Sequence, residues 1–365
     1  MGATAAALVD LSTVAGNKIS NPPWVKFQSA GWVNFPSAPT RAFTWHGSAD
    51  PAELRLNEIP LPRPEAGDVL IRNVVIGLNP VDWKVLGGRL VSWQPGHVPG
   101  VDGAGVVVAV GENVPASWIG QRVAYHQSLS RHGSFAEYTS VKARAVLRVP
   151  ASVSWEQAAS LPCPALTAWL ALEKLPQSCQ TLLVSGAGGS VANHLIQIAV
   201  RRGFKVSSLS HPRHAQRLTD LGVFDCMEGP LVEAWDGPMV FDAVIDTVNA
   251  QHAARLVAAL RANGHLVCVQ DRLQASPVPP FTRTISMHEV ALGALHTFGD
   301  DRAWQDLVDA GESILTSVGR GEWEPESFNV ASFERLPDHL EGLQHRAFSG
   351  KGLVRITSDE LGNLP

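Results

Sequence analysis

The sequence predicts an α/β protein with two unlike parts: a β-rich domain, and a domain built on a doubly wound parallel sheet. Three observations carry this prediction. Residues 41–150 run in short β-rich stretches broken by glycine and proline, residues from 181 onward alternate apolar strands with helices, and a glycine-rich turn joins one strand directly to a helix. A chain of 365 residues also exceeds the usual size of one compact core, so two domains with a cleft between them are expected.

Taken in order, residues 1–40 are small, polar and punctuated by proline, with scattered aromatics at Trp24, Phe27, Trp32 and Phe35 and no sustained period. They read as an N-terminal extension, either flexible or packed on the body through those aromatics. Strand-like runs follow at Val69–Leu78, Val106–Val110, Arg122–Tyr125 and Phe135–Val141, suggesting an antiparallel barrel or sandwich. The rhythm then changes to a helix over Trp155–Lys174, a strand Thr181–Ser185, a helix to about Arg202 and a strand Lys205–Leu209. The alternation continues through Ala243–Asp246, a helix Gln251–Arg261 and a strand His265–Gln270, the signature of βαβ units. The tail breaks it, with a helix at Leu336–His345 and a strand at Gly352–Ile356 that could return to the first domain.

Composition excludes several function classes. A net charge of −5 and a charged fraction of 17% give no general attraction to nucleic acid or to an anionic membrane. No window approaches the ~18 uninterrupted apolar residues that cross a bilayer as a helix, and the N-terminus lacks a basic region ahead of its short apolar patch. Cys163, Cys179, Cys226 and Cys268 are too widely spaced for a zinc knuckle or a dense disulfide framework. Reduced thiols in a cytoplasmic protein acting on a small-molecule substrate are the expectation.

The most informative segment is Thr181-Leu-Leu-Val-Ser-Gly-Ala-Gly-Gly-Ser-Val-Ala192. Glycines allow a tight turn and close approach of the backbone to a pyrophosphate, while the free N–H groups of the helix's first turn face its charge. Gly186, Gly188, Gly189, Ser190 and Val191 are placed for this; the alternative is a turn that needs positive φ and holds no ligand. The spacing departs from Gly-x-Gly-x-x-Gly, and Ala192 stands where a glycine would let helix and strand pack closely. About 20 residues on, where an acid would bind the ribose of NAD, the chain reads Ser207-Ser-Leu-Ser-His-Pro-Arg213. Ser210, His211 and Arg213 are suited instead to the 2′-phosphate of NADP(H), with Arg213 as a forked donor; an ordinary solvated arginine is the alternative.

With these residues in hand, the chain resembles the medium-chain dehydrogenase/reductase superfamily, and within it the zinc-independent quinone and enone reductase branch. The resemblance covers about residues 41–357 and rests on Gly67-Asp-Val-Leu-Ile-Arg72, Gly77-Leu-Asn-Pro-Val-Asp-Trp-Lys84, Gly100-Val-Asp-Gly-Ala-Gly105, Gly133-Ser-Phe-Ala-Glu-Tyr138, Leu161-Pro-Cys-Pro-Ala-Leu-Thr-Ala-Trp169 and Ser349-Gly-Lys-Gly-Leu-Val-Arg-Ile356. It implies a GroES-like catalytic domain from residues 41–160 and 300–365, a Rossmann NADP-binding domain at 161–299, and a homodimer formed through the Rossmann part.

The resemblance also bears on metal. Zinc-dependent members take ligands from Gly-x-Cys, Gly-His-Glu and a cysteine before a Thr-containing helix; here Asn79 and Val101-Asp102 stand at the first two places and only Cys163 remains. No catalytic metal is expected, and nothing between Gly105 and Phe135 supplies the cysteines of a structural zinc lobe. Hydride delivery to a quinone, enone or similar acceptor then needs donors where charge gathers on oxygen. Asn79, Lys84 and Tyr125 are the candidates, although Lys84 stands where related quinone reductases often carry tyrosine and could be an exposed loop lysine. By resemblance Thr167 should lie near the nicotinamide, Asp246, Thr247, Val269 and Gln270 should end strands facing the cleft, and Arg346 should reach the cofactor phosphates or simply end a helix in solvent. Trp83, Trp93 and His126 could line the substrate pocket or serve as packing. An alcohol dehydrogenase and a non-catalytic NADPH-binding protein are the competing functions.

Overall fold

A computed structural model describes residues 39–88 and 90–356, so the reading of the stretch before Pro39 lies outside the described residues. Two larger sheets organise the described chain, beside a two-stranded one of Pro39–Thr44 and Arg55–Pro60. The first has seven strands and is built by both ends of the described chain: in spatial order Phe328–Ser332, Lys351–Arg355, Asp68–Gly77, Asp102–Val110, Arg122–His126 and Val146–Arg148, with Tyr138–Lys142 also paired to Asp68–Gly77. Asp68–Gly77 is buried along almost its whole length because three strands flank it, which is why its sequence is a nearly continuous apolar run. The returning strand pairs antiparallel with it, Leu353 opposite Gly77. That pairing brings Lys351, near the end of the chain, to the level of Asn79.

The second sheet has six parallel strands in the order Asp225–Glu228, Lys205–Ser210, Thr181–Ser185, Phe241–Asp246, Leu260–Cys268 and Ser286–Glu289. Numbered along the chain this is 3-2-1-4-5-6, the doubly wound order of a Rossmann sheet, and its direction reverses between Thr181–Ser185 and Phe241–Asp246. Ligands of such sheets sit outside the carboxyl ends of the strands at that reversal. One apolar core joins the two sheets, running from Val75 and Leu353 through Ala165 and Leu166 to Val184 and Ile245.

Several elements differ from the sequence reading. The helix expected over Trp155–Lys174 is two helices, Trp155–Ser160 and Pro162–Leu172, because Pro162 cannot continue the first and instead opens the second. Gln251–Arg261 is helical only to Leu256, and the next strand already begins at Leu260. The strand Ser286–Glu289 and the helix Asp301–Gly319 carry no expectation from the sequence. The former lies at a sheet edge without a buried face, so alternation is missing; the latter is capped by Asp300 and buries Trp304, Leu307, Ile314 and Leu315. No helix among the described residues is long and apolar enough to cross a membrane, and all four cysteines are free.

Candidate active site

The strand Thr181–Ser185 is buried from Leu182 onward and ends at Gly186, whose φ of 65° lies in the left-handed region. A Cβ on Gly186 would fall 2.4 Å from Thr247 Oγ1, so both backbone conformation and space demand glycine there. A Cβ on Gly188 would fall 2.5 Å from the His214 ring. Gly189 caps the helix Ser190–Arg201, whose first-turn N–H groups open at the carboxyl edge of the sheet. Val191 packs partly buried on the core, and Ala192, which is fully buried, fills the close-packing position. The turn therefore fits a dinucleotide phosphate through backbone geometry.

At the end of the neighbouring strand, Ser210 is buried, and His211 caps a short turn by accepting the Arg213 N–H at Nδ1, 3.1 Å. Arg213 is exposed, and its Nε lies 3.1 Å from His214 Nε2. Since the His214 ring lies against Gly188, it links the basic cluster to the glycine turn. His214 escaped the sequence reading, although its place four residues after Ser210 in the same polar run was the available signal.

The later strand ends behave differently from one another. Asp246 faces inward: Oδ2 accepts from Ser185 Oγ and pairs with His252 Nδ1, both at 2.5 Å, while Oδ1 accepts the N–H groups of Val248 and Asn249. Its carboxylate is fully engaged in holding two strand ends together, which corrects the expectation that it faces the cofactor. Thr247 Oγ1 donates to the Ser185 carbonyl at 2.8 Å and so shapes the glycine turn. Val269 donates its N–H to the Asp246 carbonyl, and Gln270 Oε1 accepts from Lys84 Nζ at 2.6 Å. This last bond crosses between the two sheets and sets an ammonium at the carboxyl edge of the parallel one, 5.6 Å from the centre of the Trp83 ring.

Beside Lys84 lies a buried polar cluster. Asn79 caps the helix Pro80–Lys84, accepts from Lys351 Nζ at 2.5 Å and donates through Nδ2 to Asp102 at 2.8 Å. Asp102 also accepts the Cys163 N–H at both oxygens, and Asp82 accepts the N–H groups of Asn79 and Val101. Lys351 Nζ is 3.7 Å from Asp102 and 2% exposed. The three positions compared above with zinc ligands thus converge, and an ammonium stands among them. Burial pushes Asp82 up to about 8 and Asp102 up to about 6, the latter held back chiefly by Lys351 and Asn79. The Lys351 ammonium favours the ionised form of Asp102, and Asp82 has only backbone N–H groups bonded to its two oxygens. Burial and the Asp102 charge also raise the Cys163 thiol, whose neighbour is the buried Thr167 hydroxyl.

Tyr125 is fully buried in the core of the first sheet, its hydroxyl donating to Asn73 Oδ1 at 2.8 Å and packed against Gly103, so it is not a proton donor in the cleft. Both polar ends of the Asn79 side chain are occupied within the cluster, which makes it a positioning group. Trp93 stacks on His97 in the apolar core, while His126 stacks on His296 with its Nδ1 3.1 Å away from His296 Nε2. Arg346 is exposed with a φ of 54° just past the helix Leu336–Gln344. A cavity of about 560 Å³ opens beside the helix Ala250–Leu256, lined by Ala234, Met239, Val257, Val278 and Pro279. It lies away from the glycine turn, and its two arginines are engaged with backbone carbonyls, Arg255 with Leu231 and Arg283 with Val257, so no chemistry converges there.

Comparison with known proteins agrees with this architecture. Residues 65–151 match the alcohol dehydrogenase GroES-like domain. A 2-methylene-furan-3-one reductase of Solanum lycopersicum is 32% identical over 255 residues, 67% of this chain and 64% of its own length. A trans-enoyl reductase of Penicillium oxalicum is 36% identical over 188 residues, 45% of this chain and 50% of its own length. The chain therefore spans less than two thirds of these relatives. Among solved structures, a mycobacterial quinone oxidoreductase superposes with a TM-score of 0.72 at 24% identity, covering 87% of this chain and all of that one. Residues 65–151 thus belong to the alcohol dehydrogenase GroES-like domain family, and a GroES-like sheet closed by both ends of the described chain beside a 3-2-1-4-5-6 parallel sheet is the architecture that the resemblance to the medium-chain dehydrogenase/reductase superfamily implied.

Proposed function

We propose that this protein is an oxidoreductase that binds NADPH across the cleft between its two sheets and reduces a quinone, an enone or a similarly activated carbonyl or alkene without a catalytic zinc. The observation that carries this reading is the 2.6 Å bond from Lys84 Nζ to Gln270 Oε1, which holds a proton-bearing cation at the carboxyl edge of the parallel sheet, the edge from which the glycine turn also leaves. The bound nicotinamide supplies a hydride. The chain's own residues then have three tasks. The glycine turn and the helix Ser190–Arg201 take the pyrophosphate on backbone N–H groups, and the His211, Arg213 and His214 cluster takes the 2′-phosphate. Lys84 places positive charge where the acceptor oxygen becomes negative and can pass it a proton, with Gln270 holding the ammonium in that direction.

The donor set argues for chemistry without zinc: an amide at Asn79, and a carboxylate at Asp102 already neutralised by Lys351. The tomato relative named for an enone substrate, the fungal relative named for enoyl reduction and the neighbour named for quinones support an acceptor of this electronic class. The test is consumption of NADPH and of NADH by purified, metal-analysed protein with a panel of quinones and enones. Turnover that prefers NADPH and survives a chelator is expected. Tight NADPH binding with no turnover across the panel would move the protein to the non-catalytic class.

A further inference from the structure

The segment 321–327 runs along the flank of the helix Ser190–Arg201. Gln197 Nε2 donates to the Glu324 carbonyl at 2.9 Å, the Glu324 N–H returns a bond to Gln197 Oε1 at 2.9 Å, and Asn193 Nδ2 donates to the same carbonyl at 3.4 Å. Trp323 stacks on His194 and donates to its Nδ1 at 3.2 Å. These anchors deliver Glu326 to the first residue of the helix, where its Oε2 accepts from Ser190 Oγ at 2.8 Å. The other oxygen, Oε1, is buried without a hydrogen-bond partner among the described residues.

A carboxylate suits a helix N-terminus for the same reason a phosphate does: both put negative charge against unpaired N–H groups and the positive end of the dipole. Two anions cannot share that place cheaply in a buried setting. The charged groups facing Glu326 are Lys351, on the strand Lys351–Arg355, and Arg217, on the helix Ala215–Asp220; His194, whose Nε2 is also buried without a partner, lies one turn along the helix from Ser190. Burial nevertheless raises the Glu326 carboxyl above its ordinary range, with Lys351, Ser190 and Arg217 opposing the rise.

We propose that Glu326 is an internal anion occupying the phosphate seat of the glycine turn, and that the dinucleotide enters only as this carboxylate takes up a solvent proton and yields the seat. This rests on the reading of the turn as an NADPH site and adds to it a residue that sets cofactor affinity. The proton goes to a carboxylate oxygen, most simply to the unpartnered Oε1, so one negative charge leaves as the phosphate's arrives.

The test is titration of the whole protein with NADPH, followed by tryptophan fluorescence between about pH 5.5 and 8.5, together with calorimetry in buffers of different ionisation heat, which counts protons taken up. In the unaltered protein, affinity should fall by up to about tenfold per pH unit above the Glu326 titration, with a proton taken up on binding. Glu326→Gln should bind NADPH about tenfold or more tightly at the alkaline end, lose that slope and take up correspondingly fewer protons. Glu326→Ala should do the same, and the proton count of the unaltered protein stands even if both variants fold poorly. NADPH binding that is indifferent to residue 326 and takes up no proton would overturn this proposal alone. Absence of binding by all three proteins to either nucleotide at every pH would overturn the dinucleotide reading and this proposal with it.

Discussion

The two halves of the cleft specify their chemistry in different currencies. On the parallel-sheet side, the proposed site is backbone: Gly186 is fixed by a φ of 65° and by Thr247, Gly188 by the His214 ring, and what the turn offers an anion is N–H groups that any sequence would carry. On the other side, the site is side chain: Asn79, Asp82, Asp102 and Lys351 are buried polar groups that satisfy one another. A backbone site tolerates changes in side-chain chemistry but not in shape. A side-chain cluster tolerates changes in shape but not the loss of a charge.

The largest effect expected from this contrast is at Lys351. Lys351→Met leaves Asp102 buried without its cation, and breaking a buried ion pair from one side costs about 3–5 kcal/mol. Urea unfolding should show that loss, and the double variant Lys351→Met with Asp102→Asn should recover a substantial part, since it removes the stranded charge as well. Equal losses for the single and double variants would mean that the ammonium contributes packing alone.

The same contrast explains what could be read from the sequence. The glycine turn was legible because strand, turn and helix are contiguous, and the parallel sheet was legible because strands such as Thr181–Ser185 and Phe241–Asp246 carry their own apolar runs and alternate with helices. The Lys351 cluster was not legible: Asn79 and its ammonium partner are 272 positions apart and meet only because the last described strand returns beside Asp68–Gly77. Tyr125 misled for a related reason. Its strand Arg122–His126 is buried at four consecutive positions, so the side of the strand its hydroxyl faces depends on Gly103 across the sheet and not on any local pattern. Asp246 sits at a strand end, where ligands bind, but His252 six residues later claims its carboxylate. Glu326 carried no sequence signal because a loop anchored by Trp323 brings it to a helix more than a hundred residues earlier.

Lys84 joins the two halves, and its removal should separate chemistry from binding. Lys84→Ala is expected to lower kcat by about a hundredfold, the lower end for loss of a positioned proton donor, with NADPH affinity changed little. Gln270→Ala, which removes only the partner that aims the ammonium, should lower kcat less, by about tenfold. Steady-state kinetics on one quinone and one enone would check both; a matching fall in NADPH affinity would place Lys84 in the cofactor site instead. On the backbone side, Gly186→Ala should weaken both nucleotides about tenfold, because it strains a left-handed residue and drives a Cβ onto Thr247 Oγ1. Compensation by Thr247→Ser with Gly186→Ala is not expected, since the hydroxyl at fault would remain.

The smallest effect is the most selective. Arg213 is exposed, so its removal should leave unfolding within about 0.5 kcal/mol of the unaltered protein. If its guanidinium holds the 2′-phosphate, Arg213→Ala should weaken NADPH about tenfold, the scale of one charge-assisted contact in solvent, and leave NADH untouched. His214 complicates the reading, because it bonds to Arg213 and also lies against Gly188, so it touches both the selective and the shared parts of the proposed nucleotide site. Fluorescence titration of Arg213→Ala and His214→Ala with both nucleotides distinguishes them. Loss of NADPH alone in the first and of both nucleotides in the second would divide discrimination from seating. Equal loss of both nucleotides in Arg213→Ala would mean that selectivity, if present, comes from Ser210 and His211.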